Sequence, residues 1–336
     1  MTIENIIESE RQKIKEYIHK DIQSSVPFID NVNDYSFSHS GKMIRPLLTV
    51  IAAKACNYNN PETLYKMATM IEYIHTATLL HDDVVDDSSL RRGQLSVNKK
   101  FSNPVAVLVG DFIYTRAFQL MLVANSLTVM ETMADVTNRI SEGEIMQLLN
   151  IGQHDLTLEK YLQVIDAKTA NLFVAAVKIA GIISELSEQQ INLLSSFAGN
   201  LGIVFQMVDD ILDYTSTADT MGKNIGDDLQ EGKVTLPLIY ALQQADDHDK
   251  QLLIDIITNP INKLDIAIKQ VQNILNKYNI LPQCQILVTE YYNKGLIALK
   301  EFAISIASNS SQSDSNSNKY LQILEHLLKL SMERMS

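Results

Sequence analysis

Apolar residues recur every three to four positions along almost the whole of this chain. Ile3, Ile6, Ile7, Ile14, Tyr17 and Ile18 share one side of a helix, so an amphipathic helix is expected to open the chain. The same period runs through Leu47 to Ala55, where Pro46 suits a helix start. Asn57 to Pro61 reads as a turn, and Glu62 to Leu90 as one long helix ending near Gly93. Pro104 to about Asn125, almost free of charge, predicts another. Further helices are expected over 127–150, 158–184, 188–216, 234–246, 261–278, 281–306 and 319–333. No alternating strand pattern bounded by hairpin turns stands out. Two segments break the period. Met221 to Lys233 carries glycine and charge and reads as a loop, and Ser308 to Asn318 (SNSSQSDSNSN) reads as a mobile polar connector. The pattern predicts an all-α protein.

Composition agrees and narrows the function. The chain has 336 residues, 46% of them hydrophobic, enough for a large core in one large domain or two small ones. Only 12 Gly and 7 Pro interrupt it, which favours helix. The net charge of -12 argues against non-specific nucleic-acid binding, and a polyanionic substrate would have to be held by metal and a few placed cations. Cys56 and Cys284 have neither CxxC nor Cys/His spacing, so a disulfide framework or zinc site is not expected. The polar, acidic start Met1-Thr2-Ile3-Glu4-Asn5 is unlike a signal peptide, and a cytoplasmic location is expected. The longest uncharged stretch, Gln189 to Val208, holds too many amide and hydroxyl side chains for a good membrane span and reads as a buried helix.

Two acidic patterns carry the chemistry. The first is His81-Asp82-Asp83-Val84-Val85-Asp86-Asp87, followed by Arg91-Arg92-Gly93; the second is Gln206-Met207-Val208-Asp209-Asp210-Ile211-Leu212-Asp213. Each is a DDxxD box in an apolar, helical segment. Residues i and i+4 share a helix face, so Asp82 lies over Asp86 and Asp209 over Asp213. Carboxylates crowded in an apolar setting repel one another unless cations neutralise them. Hard oxygen donors point to Mg²⁺, which binds through a few carboxylates together with water and substrate phosphates. Both boxes fall near helix C-termini, where the dipole also favours cations. For both to serve one site, their helices must run roughly parallel and face each other.

With these boxes the chain resembles the trans-type polyprenyl diphosphate synthases, and the pattern is most similar to the bacterial octaprenyl branch. The resemblance runs from Gly41 to about Leu242 and rests on five ordered motifs: Gly41-Lys42-Met43-Ile44-Arg45-Pro46, the two boxes, Lys168-Thr169 and Gly232-Lys233. It implies a single domain over 1–336, an isoprenoid-synthase-type helical bundle around a deep apolar tunnel, Mg²⁺ and a homodimer. The implied reaction ionises an allylic diphosphate, such as farnesyl diphosphate, and the double bond of isopentenyl diphosphate attacks the cation. The resemblance makes Asp82, Asp86 and Asp209 the direct metal ligands, with Asp83, Asp210 and Asp213 completing or orienting the shell. Lys42, Arg45, His75 and Arg92 would hold isopentenyl diphosphate. Arg91, Lys168, Lys223 and Lys233 would grip the allylic diphosphate, and Thr169 and Gln206 would stabilise the cation or the departing oxygen. No dedicated general base stands out, and the released pyrophosphate takes the proton.

The residues before the first box are expected to line the tunnel. Ala77 and Thr78 stand there, where short-chain relatives often carry Phe or Tyr, so a long product is expected; Phe118, Met121 and Met133 are candidates for its floor. The run Val107 to Gln119 (VLVGDFIYTRAFQ) is similar to octaprenyl synthases, which supply the ubiquinone side chain, although heptaprenyl and nonaprenyl synthases share nearly all of it. The apolar product would leave toward a membrane. Geranylgeranyl or farnesyl synthase is the nearest rival. A terpene cyclase would carry Asn/Asp, Ser/Thr and Glu in its second metal motif and would not use Lys42 and Arg45. A non-catalytic partner subunit would lack a box, and a di-iron bundle would show Glu-x-x-His pairs, absent at the boxes.

Overall fold

A computed structural model of the chain describes residues 2–38, 41–215, 226–259, 264–307 and 315–333. They are almost entirely helical, as the apolar period predicts. The helices are α1 (Ile3–Asp21), α2 (Pro27–Ser38), α3 (Ile44–Ala55), α4 (Pro61–Val85), α5 (Val97–Lys100), α6 (Asn103–Met121), α7 (Leu127–Leu149), α8 (Leu158–Ile165), α9 (Asn171–Ile183), α10 (Glu188–Thr215), α11 (Asp227–Gln230), α12 (Leu236–Gln244), α13 (Asp247–Thr258), α14 (Leu264–Lys277), α15 (Ile280–Ala307) and α16 (Ser315–Glu333). Contacts divide the chain into two compact units. The first is Met1–Thr137, Leu172–Ala198 and Ile297–Leu327; the second is Asn138–Asn171, Gly199–Leu296 and Leu328–Ser336.

In the first unit α4 packs against α3 and α6. Asn60 caps α4 by accepting from the Thr63 backbone N–H at 3.2 Å, and Pro61 takes the first helical position. Met67, Met70, Ile71, Ile74 and Ala77 on α4 are buried, and α6 buries one strip, Ala106, Val109, Gly110, Ile113, Ala117, Leu120 and Met121. Helix α4 ends at Val85, short of the expected Leu90. Asp82, Asp83, Asp86 and Asp87 crowd negative charge at a helix C-terminus, which opposes further winding, and Asp87 turns to φ 50°. A two-residue hairpin follows that the sequence pattern did not show: β1 (Leu90–Arg91) pairs with β2 (Gln94–Leu95). Its turn is Arg92-Gly93, with φ of 53° and 76°, the type I′ geometry that suits tight hairpins. Helix α2 also escaped the pattern, because it buries only Val32 and Asn33.

In the second unit, Val204, Met207, Val208 and Ile211 of α10 meet Leu236 and Ile239 of α12, Leu253 of α13, Val271 and Leu275 of α14, and Cys284 and Val288 of α15 in one core. The uncharged run Gln189 to Val208 lies within α10, and its Leu194, Phe197, Leu201, Val204 and Met207 are buried. The helix expected over 234–246 stops at Gln244, and α13 starts anew because the Asp246 carboxylate accepts from the Asp249 N–H at 2.9 Å. The helix expected over 158–184 is not a uniform α-helix: Asp166–Ala170 forms a π turn between α8 and α9.

Two loop expectations change. Ser315 to Asn318, read as part of the polar connector, form the start of α16; residues 308–314 lie outside the described residues. In the segment read as a loop over Met221 to Lys233, Asp227–Gln230 is the short helix α11 and residues 221–225 lie outside the described residues.

Candidate functional site

The first box sits on the last turn of α4. Asp82 and Asp86 are half-exposed one turn apart, and the Asp86 N–H donates to the Asp82 carbonyl at 2.8 Å. Asp83 is buried. Its side chain accepts from Arg91 Nε at 3.0 Å and from Arg91 Nη2, and its carbonyl accepts from Asn98 Nδ2 at 2.9 Å. The hairpin thus returns Arg91 to the box. His81 packs on Gly110 of α6, its Nε2 at 3.2 Å from the Val107 carbonyl and 3.4 Å from Asp111.

The expected cations for the second diphosphate gather in the same unit. Arg45 stands two residues after Met43, whose φ of 49° precedes the start of α3. Its guanidinium lies over the Phe173 ring at 4.5 Å and meets His75 Nε2 at 3.2 Å. Arginine only donates, so His75 Nε2 accepts and Nδ1 carries the imidazole proton. Burial, then Arg45, Arg92 and Arg91, hold the His75 pKa well below its ordinary value, so the ring is neutral. Arg92, at its positive φ, lies against Gly41, where a Cβ would stand 3.0 Å from the guanidinium carbon. Lys42 is exposed, and its carbonyl accepts from Arg11 Nε at 3.3 Å.

Glu72 joins this cluster and was not singled out from the sequence. It is 3% exposed, lines a cavity with Thr76, Asp83, Arg91 and Arg92, and its Oε2 has no hydrogen-bond partner among the described residues. Burial pushes its carboxyl up to about 7, while Arg92 and Arg45 pull the other way. A folded pKa above the ordinary 4.5 means that the folded state holds the proton longer, so this group costs stability as pH rises from about 4.5 to 7. Glu72→Gln removes that cost. Its advantage over wild type should be near zero at pH 4.5 and about 3 kcal/mol at pH 8 in denaturant titrations; a pH-independent difference would contradict the buried-carboxyl reading.

The second box lies on the last two turns of α10, in the second unit. Asp209 is half-exposed, while Asp210 and Asp213 are buried. Gln206 Nε2 donates to Asp210 Oδ1 at 2.7 Å, and Tyr161 Oη donates to Asp210 Oδ2 at 2.6 Å. Thr169 Oγ1 donates to Gln206 Oε1 at 2.9 Å. Burial, with Asp228 adding to it, pushes the Asp210 carboxyl up to about 8, against the hydrogen bonds from Tyr161 and Gln206. Lys168 Nζ donates to Glu144 at 2.6 Å and Gln147 at 2.7 Å on α7. Lys233 follows Gly232 (φ 71°) and pairs with Glu231 at 2.5 Å. Lys223 lies outside the described residues.

The tunnel candidates separate by burial. Ala77, Met121 and Met133 are buried and Thr78 is half-buried, its hydroxyl donating to the His75 carbonyl at 2.9 Å. Phe118 is 43% exposed and packs edge-on against Tyr114, so it lines no interior of its unit. Among the described residues, the group of His, Cys, Asp and Glu ligand atoms within 4.8 Å of one another is Asp246, His248 and Asp249, outside both boxes. Lys277 Nζ already sits on Asp246 and Asp249, at 3.1 and 2.6 Å. The boxes themselves offer only carboxylate oxygens, a donor set that fits a hard divalent cation.

Comparison with known proteins agrees with the motifs. Residues 26–275 match the profile of the polyprenyl synthetase family. The octaprenyl diphosphate synthase of Escherichia coli is 45% identical over 236 residues, 70% of this chain and 73% of that protein. The all-trans-nonaprenyl-diphosphate synthase (geranyl-diphosphate specific) of Rhodobacter capsulatus is 40% identical over 320 residues, 95% and 93% of the two chains. A crystal structure of a polyprenyl synthase from Caulobacter crescentus, complexed with calcium and isoprenyl diphosphate, superposes with a TM-score of 0.90 at 32% identity, covering 99% of this chain and 97% of that one.

Proposed function

The chain belongs to the polyprenyl synthetase family and is a prenyltransferase; on that premise we propose that it extends farnesyl diphosphate with isopentenyl diphosphate to all-trans-octaprenyl diphosphate for the ubiquinone side chain. The observation that carries the long product is Ala77. It is a small, buried residue on α4, five positions before Asp82, where an aromatic ring would block a growing tail. The 45% identity to an octaprenyl synthase supports this length, while the relative at 40% identity is a nonaprenyl synthase.

Half-exposed Asp82, Asp86 and Asp209 would hold Mg²⁺, and buried Asp83, Asp210 and Asp213 would fix their surroundings. The bound metal would neutralise charge on the leaving pyrophosphate. Arg91, Lys168, Lys223 and Lys233 add cations for the same group. Arg45 and Arg92 offer planar forks to the isopentenyl diphosphate oxygens, and Lys42 a point charge. Neutral His75 donates through Nδ1 without adding charge. Thr169 and Gln206 bring hydrogen-bonding dipoles to the developing cation, and the departing pyrophosphate accepts the proton that the condensation releases.

A homodimer fits the apolar surface of the first unit: α6, the turn that follows it and the start of α7 expose Val107, Leu108, Phe118, Leu122, Leu127 and Met130. A cytoplasmic enzyme that releases its product toward a membrane completes the reading. The product-length proposal is tested with Ala77→Tyr. The variant should stop at products shorter than wild type, read by mass spectrometry after dephosphorylation. An unchanged product distribution would remove Ala77 from the tunnel.

A further inference from the structure

Four polar side chains in the second unit form one unbroken line: Thr169 to Gln206 at 2.9 Å, Gln206 to Asp210 at 2.7 Å, and Tyr161 to Asp210 at 2.6 Å. We infer that Tyr161 is the positioning residue of the second aspartate box, fixing through Asp210 and Gln206 the direction in which Thr169 presents its oxygen. The inference rests on the prenyltransferase reading for what Thr169 faces, but the line itself is geometric.

Its polarity follows from which groups can donate. With Asp210 Oδ1 accepting at 2.7 Å, the Gln206 amide turns its NH₂, which can only donate, toward Asp210. Its carbonyl then faces Thr169, whose hydroxyl proton is committed to it. The lone pairs of Thr169 are left to face the developing allylic cation, the orientation that stabilises positive charge. Tyr161 anchors the far end. It is 3% exposed, and its hydroxyl occupies Asp210 Oδ2 while Gln206 occupies Oδ1. The carboxylate is held from both oxygens and cannot rotate without breaking one bond.

The π turn makes this line possible. Tyr161 and Thr169 are eight residues apart, and at about 100° per residue an α-helix would set them about 80° apart. One extra residue in a π turn brings position i+8 back to within about 20° of position i. The turn Asp166–Ala170 begins between them and contains Thr169. Their targets, Gln206 and Asp210, are four apart on one face of α10. An irregular segment on one element thereby meets a regular spacing on the other.

Tyr161→Phe keeps the ring and deletes the anchor. We expect Mn²⁺ binding in the presence of inorganic pyrophosphate, followed by electron paramagnetic resonance, to weaken about 10-fold, the usual cost of losing a group that orients a ligand. We expect kcat to fall by a similar factor while KM for isopentenyl diphosphate stays within about two-fold, because its expected cations are elsewhere. Tyr161→His retains an N–H donor and should recover part of both losses; it also serves if the Phe variant fails to fold. Unchanged Mn²⁺ affinity in folded Tyr161→Phe overturns the inference, as does equal loss in both variants accompanied by equal loss of thermal stability. A wild-type enzyme that fails to elongate prenyl chains would sink the prenyltransferase reading instead, and the Mn²⁺–pyrophosphate titration would still report on Tyr161.

Discussion

Asp82→Ala, and separately Asp209→Ala, is expected to lower turnover by about 10³-fold or more while the protein stays folded. The leaving diphosphate gains charge as its C–O bond breaks, and removing a principal donor to that charge typically costs a factor of about 10²–10³. A lost metal ligand removes more than one donor. Stability should move the other way. Both residues are half-exposed near helix C-termini, where each negative charge opposes the dipole. Its removal should leave the melting temperature unchanged or raise it, by an equivalent of about 0.3–1 kcal/mol. Opposite signs in activity and stability separate a functional carboxylate from a structural one. Turnover near wild type would remove the residue from the metal set, and an unfolded variant would show that it holds the helix end together.

Gly143→Ala should be harmful, although the intrinsic preference predicts the reverse. Gly143 lies inside α7, and replacing an interior helical Gly by Ala normally adds about 1 kcal/mol. Here a Cβ would stand 2.8 Å from the Lys168 backbone nitrogen and 3.0 Å from the Ala167 Cβ. The nearer obstacle is backbone and cannot swing aside as a side chain can. The π turn must retreat, and overpacking of this kind costs about 1–3 kcal/mol. That turn carries Lys168 and Thr169, so a shift of roughly 1 Å there should lower kcat by about 10²-fold. Thermal denaturation and steady-state kinetics on the one variant check both effects. A variant as stable and as active as wild type would show that α7 does not fix the turn.

What the sequence made legible was set by periodicity and by motif spacing. Helices with a broad apolar strip, such as α4 and α10, were readable to within a few residues at most ends. Helix α2 was not, since it buries little, and α13 was not, because Asp246 caps a new helix where the apolar period merely pauses. The end of α4 was overrun because hydrophobic period ignores charge: Val84, Val85 and Leu90 keep the apolar rhythm while the aspartates oppose it. The hairpin turns on Arg92-Gly93, a pair in which only the glycine signals a positive φ. At the site, the carboxylates and cations were visible as motif letters. Their partners were not. Tyr161, Glu144 and Gln147 look like ordinary helix residues, and Glu72 like a solvated charge, until folding brings them to Asp210, Lys168 and the arginine cluster. Phe118 shows the converse, since an aromatic residue in an apolar helix read as interior and stands at the surface.

The most direct test of the account is to incubate the purified chain with farnesyl diphosphate, excess isopentenyl diphosphate and Mg²⁺, with a parallel sample in chelator, and to size the dephosphorylated products by mass spectrometry. Metal-dependent elongation dominated by a C40 alcohol is expected, with none in chelator. Products ending at C15 or C20 would contradict the long tunnel, and the absence of any Mg²⁺-dependent elongation would contradict the catalytic reading of the two aspartate boxes.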